Sequence, residues 1–280
     1  MKTYKDLVFP YERALYAEKD IALYNCSFCG EEDGESALKE TKNVKALNCR
    51  FELRYPLWHT AGAVINECVM TDTCRAALWY GKDIKILNST LGGIKALRES
   101  ENIEIDNCSI DSPEFGWKSK DVEVKNTEIS GEYPFFLSKN LKLYNVKLNG
   151  KYSFQYIENA VFENCNFDTK DAFWHAKNVT VKNSVIKGEY FSWYSENLTL
   201  INCKIIGTQP LCYCKGLRLL DCELEGADFA FEYSEVEANI KGNIISVKNP
   251  LSGKITADSI GEIILTDDSI YKSECKIEIR

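Results

Sequence analysis

The chain is poor in several residue types that would point to a known chemistry. Among its 280 residues are only two histidines, two methionines and six prolines. Two histidines are too few for a histidine-rich metal centre, and each alone is read as a packing or hydrogen-bonding residue. No apolar run approaches the ~18 residues needed to span a bilayer, so no partner membrane is expected. The first twenty residues, MKTYKDLVFPYERALYAEKD, lack the apolar core of a secretory signal, and a cytoplasmic location is expected. Positive charge is in deficit, with 34 Lys and Arg against 42 Asp and Glu, a net −8. That balance and the absence of a basic stripe argue against nucleic acid. Cysteine is plentiful, at 12, and in such a compartment the default state is a reduced thiol packed as a small hydrophobe.

What the sequence does contain is a beat of nineteen. Asp83, Asn102, Asp121, Asn140, Asn159, Asn178, Asn197 and Gly216 follow one another at intervals of 19 residues. Asn88, Asn107, Asn126, Asn145, Asn164, Asn183, Asn202 and Asp221 repeat the interval five residues later. A fixed period near twenty marks one short unit stacked on copies of itself. Upstream, Gly62, Asn43 and Asp20 hold the same place with units of 21, 19 and 23 residues, so insertions fall only in the early units. Thirteen units start between Asp20 and Lys254.

Numbering each unit from its turn residue, columns two and four are apolar, as in Ile103 and Ile105 or Leu198 and Leu200, with polar residues between. That is the period of a half-buried strand. Column six is the Asn column. Columns seven and nine, such as Cys203 and Ile205, give a second short strand, and stretches such as YPFFL or YFSWY read as a third. Asn, Asp and Gly suit the left-handed backbone of sharp corners, and stacked Asn amides form a ladder. The expected fold is an all-β, single-stranded, right-handed parallel β-helix of about 12–13 rungs with three short parallel sheets and capped ends. Residues 1–19 are expected to form an N-terminal cap with one or two helical turns over Tyr11–Lys19, residues 20–253 the solenoid, and 254–280 a last rung and cap. The competing architecture is a leucine-rich repeat, which LxLINCKI matches at its core. Against it stand the short period, Ser, Ala or Cys in column eighteen, and no helical pattern.

Every tryptophan of the chain, Trp58, Trp79, Trp117, Trp174 and Trp193, falls in column sixteen, with Phe136 and Phe231 beside them and Arg98 and Gln155 interrupting. Column fifteen is Leu57, Leu78, Leu97, Phe135, Phe154, Phe173 and Leu211. Strand side chains alternate faces, so both columns cannot point inward. If column fifteen is core, the tryptophans line the outside, and Arg98 stacks on an indole. An opposing sign is that Phe115, Phe191 and Phe229 in column fourteen compensate for small residues in column fifteen. Such a row suits sugar rings, and the expected ligand-binding residues are Trp58, Trp79, Arg98, Trp117, Trp174, Trp193 and Tyr194. Arg98, Glu99, Glu114 and Lys118 are the weak candidates for acid–base work; an ordinary solvated ion-pair cluster is the plainer reading. Cys26-x-x-Cys29 and Cys212-x-Cys214 lack a second pair at zinc spacing, so no metal and no cofactor is expected.

The NxVxVxNCxI unit, repeated over nearly all of the chain, resembles the pectate-lyase-like right-handed β-helix superfamily. More narrowly, its length and N-C corners look like a bacterial family with no assigned activity. The wider resemblance implies polysaccharide lyases and glycoside hydrolases as precedents. Their calcium-site aspartates, Gly-His-Gly and groove-flanking aspartate pairs do not occur here, and 19-residue units leave no room for long loops that wall a cleft. The expected function is therefore a module binding a carbohydrate or other flat ligand. The alternatives are a structural or protein-interaction scaffold, self-associating through the aromatic strip or the C-terminal cap, and a glycan-processing lyase or hydrolase using Glu99 or Glu114.

Overall fold

A computed structural model describes residues 1–31 and 34–280. The fold is an all-β parallel solenoid of the right-handed type, with about 15 turns of about 19 residues. Among the described residues the only helix is a three-residue 3-10 turn, Asp72–Cys74, which removes the leucine-rich alternative. No helix is long and apolar enough to cross a membrane. The chain divides into two compact units, Met1–Lys142 and Leu143–Arg280.

In the first unit, six-residue strands such as Ala61–Asn66, Lys82–Leu87 and Glu101–Asp106 lie side by side, with Ile84 opposite Ile103 and Ile86 opposite Ile105. Shorter strands, among them Arg50–Phe51, Val69–Met70 and Thr90–Leu91, build the second side. The columns expected to be apolar are the buried ones: Ile84, Ile86, Ile103 and Ile105 are at most 1% exposed. In-register stacking places identical rings face to face, with Phe28 and Phe51 4.9 Å apart and 1° from parallel. The second unit repeats the plan in strands such as Lys177–Lys182 and Glu196–Ile201, with Val179 opposite Leu198. Its core gathers Phe154, Phe162, Phe167 and Phe173, all fully buried. From Leu217 the two strand sides merge into continuous strands, Leu217–Glu225, Glu235–Lys248 and Ser252–Ile264.

Corners behave as their residue types require. Asp83, Asn88, Asn102 and Asn107 all hold φ between 50° and 57°, the left-handed region. Their side chains reach across one rung: Asn102 Nδ2 donates to Asp83 Oδ1 at 2.6 Å, and Asn107 Nδ2 to Asn88 Oδ1 at 2.7 Å. In the second unit Asn197 donates to Asn178 at 3.0 Å, and Asn202 to Asn183 at 2.9 Å.

Two expectations need correction. The first nineteen residues do not form a helical cap: Lys2–Lys5 pairs with Ile21–Tyr24 and Val8–Phe9 with Ser27–Phe28, so the segment is itself a rung. The third side is also not a strand. Residues 77–80 and 94–97 run as turns, and positive φ falls at every second residue: Leu78 and Tyr80, then Leu97 and Glu99. The amides of these left-handed residues bond alternately to the rung before and the rung after. Leu97 N donates to Ala77 O at 2.9 Å, and Glu99 N to Trp117 O at 2.8 Å. Side chains then point two in and two out, because the chain is not extended. Ala96 and Leu97 are buried, Arg98 and Glu99 lie outside, and Ser100 is buried again. Column fourteen can thus share the interior with column fifteen while the tryptophans stay out; Phe115 and Phe191 are fully buried as expected, and Phe229 is not.

The buried hydroxyl in column eighteen serves this backbone. Ser100 Oγ donates to Leu78 O at 2.8 Å and accepts from Gly81 N at 3.1 Å; Ser119 Oγ donates to Leu97 O at 2.9 Å. Each such bond contributes about 1 kcal/mol net, and an aliphatic side chain there leaves buried backbone groups unpaired.

Candidate functional site

On the outside of the third side in the first unit, indoles and cations alternate. Trp58 and Trp79 stack at 5.6 Å and 14°, and Lys39 Nζ lies 5.0 Å from the Trp58 ring. The Arg98 guanidinium sits 5.2 Å from Trp79 and 5.0 Å from Trp117, the stacking expected from its place in the column. Its side chain is 16% exposed, and two carboxylates balance it: Glu114 Oε2 at 3.4 Å from Nη1 and Glu99 Oε1 at 3.5 Å from Nε. Lys95 Nζ adds a second cation, 3.8 Å from Glu114. The structure thus brings Arg98, Glu99 and Glu114 together, and Lys118 stands on the same face, exposed. Both carboxylates face a guanidinium clamped between rings. That arrangement anchors a side chain; it does not present a free acid and base to a substrate.

In the second unit two tryptophans are adjacent, between Gln155 and Cys212 of the same column. Trp174 and Trp193 stack at 5.4 Å and 4°. Their indole N–H groups donate inward along the chain, Trp174 to Tyr190 O at 2.7 Å and Trp193 to Gln209 O at 2.8 Å. Beside them runs a longer row in column seventeen. Tyr156 and His175 are 4.7 Å apart, His175 and Tyr194 5.0 Å, and Tyr194 and Tyr213 4.7 Å, all within 13° of parallel. Tyr156 is 45% and Tyr194 42% exposed, more open than the half-buried tryptophans. Burial, reinforced by Glu232, pushes the Tyr213 phenol up to about 12.

This geometry revises the sequence reading. In-register stacking closes each ring's faces against its neighbours, so the rows offer ring edges and polar tips to solvent, not open faces for sugar stacking. The more open row is column seventeen, of which only Tyr194 was expected as a contact; Tyr156 is exposed like it, and His175 and Tyr213 are half-buried. The signal of that row was the run of tyrosines one place beyond the tryptophans. Phe231 does not join the outward row either. A one-residue shift leaves it fully buried and Phe229 exposed, and puts Glu232 outside against Lys248 at 2.9 Å.

A second candidate lies at the early insertions, which supply the wall that the 19-residue plan lacks. Residues 30–31, 50–54 and 71–75 enclose a cleft of about 460 Å3. Among its described lining residues are three arginines, Arg50, Arg54 and Arg75, and three acids, Glu31, Glu52 and Asp72. Arg50 Nε meets Glu52 Oε1 at 2.5 Å. The far wall is stapled: Thr73 Oγ1 donates to Glu52 O at 2.6 Å, and Asp72 Oδ1 accepts from Thr73 N at 2.9 Å. Arg75 is held at φ 55° and ψ −67°, off the ordinary left-handed well, a distortion costing of order 1–3 kcal/mol. The next rung holds it there: a Cβ on Gly93 would lie 2.8 Å from Arg75 N, and one on Gly92 2.8 Å from Asp72 N.

The cysteines carry no such site. Cys108, Cys165 and Cys203 are at most 6% exposed, and each thiol donates to the carbonyl two residues back. Burial pushes Cys165 up to about 11 and Cys212 further, away from the reactive thiolate. Among the described residues no cluster of three His, Cys, Asp or Glu could hold a metal ion.

The family resemblance expected from the repeat has a definite counterpart. A profile described as "Protein of unknown function (DUF3737)" matches residues 2–278, and the chain belongs to that family. No curated protein sequence matches the chain. Similar solved structures include an alginate lyase from Paenibacillus sp. str. FPU-7, at 8% identity and TM-score 0.40, covering 84% of this chain and 99% of that one. PfbA, a surface adhesin of Streptococcus pneumoniae, is similar at 11% identity and TM-score 0.39 over 95% of this chain and 76% of its own. An endo-xylogalacturonan hydrolase from Aspergillus tubingensis follows at 10% identity and TM-score 0.30, with coverages of 93% and 90%.

Proposed function

We propose that this protein is a non-catalytic carbohydrate-binding module that lays an extended oligosaccharide along the third side of its second unit. One observation carries the reading: Tyr156, His175, Tyr194 and Tyr213 repeat a polar-tipped ring edge every 4.7–5.0 Å. A ligand touching all four must itself repeat at nearly one rung, as the pyranose units of an extended glycan do. Phenol and imidazole tips donate and accept hydrogen bonds, which suits vicinal hydroxyls. Trp174 and Trp193, pinned by their own N–H bonds, form a fixed apolar floor beside the row. The rings are ordered before binding, so little side-chain entropy is lost on contact.

The test is affinity electrophoresis and intrinsic-fluorescence titration against soluble polysaccharides. Tyr194→Ala should weaken binding at least tenfold, while the loss of its two stacking contacts costs about 1–3 kcal/mol of stability. An unresponsive wild-type protein across the set removes the reading. A second reading, assembly of two copies through the same strip, is favoured by the flatness that closed ring faces give it. Light scattering separates the two: a dimer broken by Tyr156→Glu supports assembly, and a monomer supports ligand binding.

A further inference from the structure

The cleft of the first unit is built for a different task from the strip, and the inference drawn from it does not rest on the strip. We infer that it is a binding site for a compact, uncharged, hydroxyl-rich molecule, a mono- or disaccharide. The volume of about 460 Å3 falls within the range of small-molecule sites. Its chemistry selects the class. Guanidinium groups only donate hydrogen bonds and carboxylates only accept them. Arg50, Arg54 and Arg75 share the cleft with Glu31, Glu52 and Asp72, and Leu53 supplies an apolar wall. A hydroxyl both donates and accepts, so a diol satisfies an adjacent guanidinium and carboxylate together without bringing charge into a site that already balances. An anion would face the carboxylates, and a cation the arginines.

The rigidity of the wall supports a binding role. Thr73 fastens the 3-10 turn to the strand beside it, and Gly92 and Gly93 press against Asp72 and Arg75 closely enough to exclude any side chain. Arg75 is thereby held in a conformation that glycine would adopt more easily. Its side chain stands exposed beside the cleft that it lines.

Titration calorimetry on the full chain tests this with glucose, galactose, maltose, cellobiose and lactose, and with inorganic phosphate, citrate and glycine as charged probes. At least one neutral sugar should bind with Kd below 1 mM. Arg75→Gly should weaken it at least tenfold while Tm stays level or rises, because strain is released. Asp72→Asn should weaken it similarly, and Tyr194→Ala should leave it unchanged, so that failure here is distinguishable from failure of the strip. The inference is overturned if no neutral sugar binds with Kd below 1 mM or if phosphate, citrate or glycine binds more tightly. It is equally overturned if Arg75→Gly shifts Tm without touching affinity.

Discussion

Two outward columns of the same side solve one packing problem differently. Over Trp58 to Trp117 in the first unit, a guanidinium breaks the row of indoles and is clamped between them. Over Tyr156 to Tyr213 in the second, aromatic rings follow one another without a break. The hydrogen bonding differs too. Trp117, Trp174 and Trp193 donate to carbonyls sixteen residues ahead, whereas the buried indole N–H groups of Trp58 and Trp79 find no acceptor among the described residues. Trp58 precedes a unit lengthened to 21 residues, which displaces the expected carbonyl. Trp79 lacks an acceptor although a 19-residue unit follows it, so a strict period repeats contacts without guaranteeing every polar atom a partner.

The largest effects should come from the ring stacks beneath these columns. Phe51→Ala and Phe173→Ala should each cost about 3–5 kcal/mol in chemical denaturation. Phe51 lies flat on Phe28, while Phe173 is wedged at 43–78° among Phe154, Phe162 and Phe191. A markedly smaller loss at Phe51 would show that a parallel stack closes over a gap more easily than a tilted cluster.

Arg98→Ala should cost about 1–3 kcal/mol, since it strands Glu99 and Glu114 and opens two indole faces. Arg98→Trp makes the first column resemble the second and should recover part of that loss; a further drop would mean the charge cannot be replaced by area. Smaller again is the corner effect. Asn107→Ala, at φ 54°, should lose about 1–2 kcal/mol, and Asn107→Gly much less, measured by urea midpoint.

The smallest change is one of pH. Burial raises the Asp171 carboxyl, whose side chain is 12% exposed beside Lys170. A raised carboxyl stabilises the fold below the unfolded-state value near 4 and loses that contribution as pH rises through the folded value. Asp171→Asn should therefore raise Tm at pH 7, with the gain shrinking toward pH 4. A gain that grows on acidification would refute the assignment.

The solenoid and its corners were legible because stacking turns structure into columns, and columns of Asn, Ile or Cys repeat visibly. The third side was misread for a physical reason. Periodicity arguments assume an extended chain or a helix, and a backbone whose handedness changes at each residue obeys neither rule. Hence Leu97 and Arg98 were placed correctly on opposite sides, but the shared burial of Ala96 and Leu97 looked contradictory. Of the column-seventeen row only Tyr194 was expected as a contact, because spacing alone does not tell which of two adjacent outward columns is the more open. The cleft was missed because it arises from departures from the period, and a repeat aligns everything except what is inserted into it.

The alternating third side has an optical consequence. Left-handed and right-handed residues rotate polarised light in opposite senses, and here they sit next to one another through rung after rung. Their ellipticities largely cancel, so a far-ultraviolet spectrum of this protein will report less ordered backbone than it has, and spectral deconvolution will assign a well hydrogen-bonded third of each turn to coil.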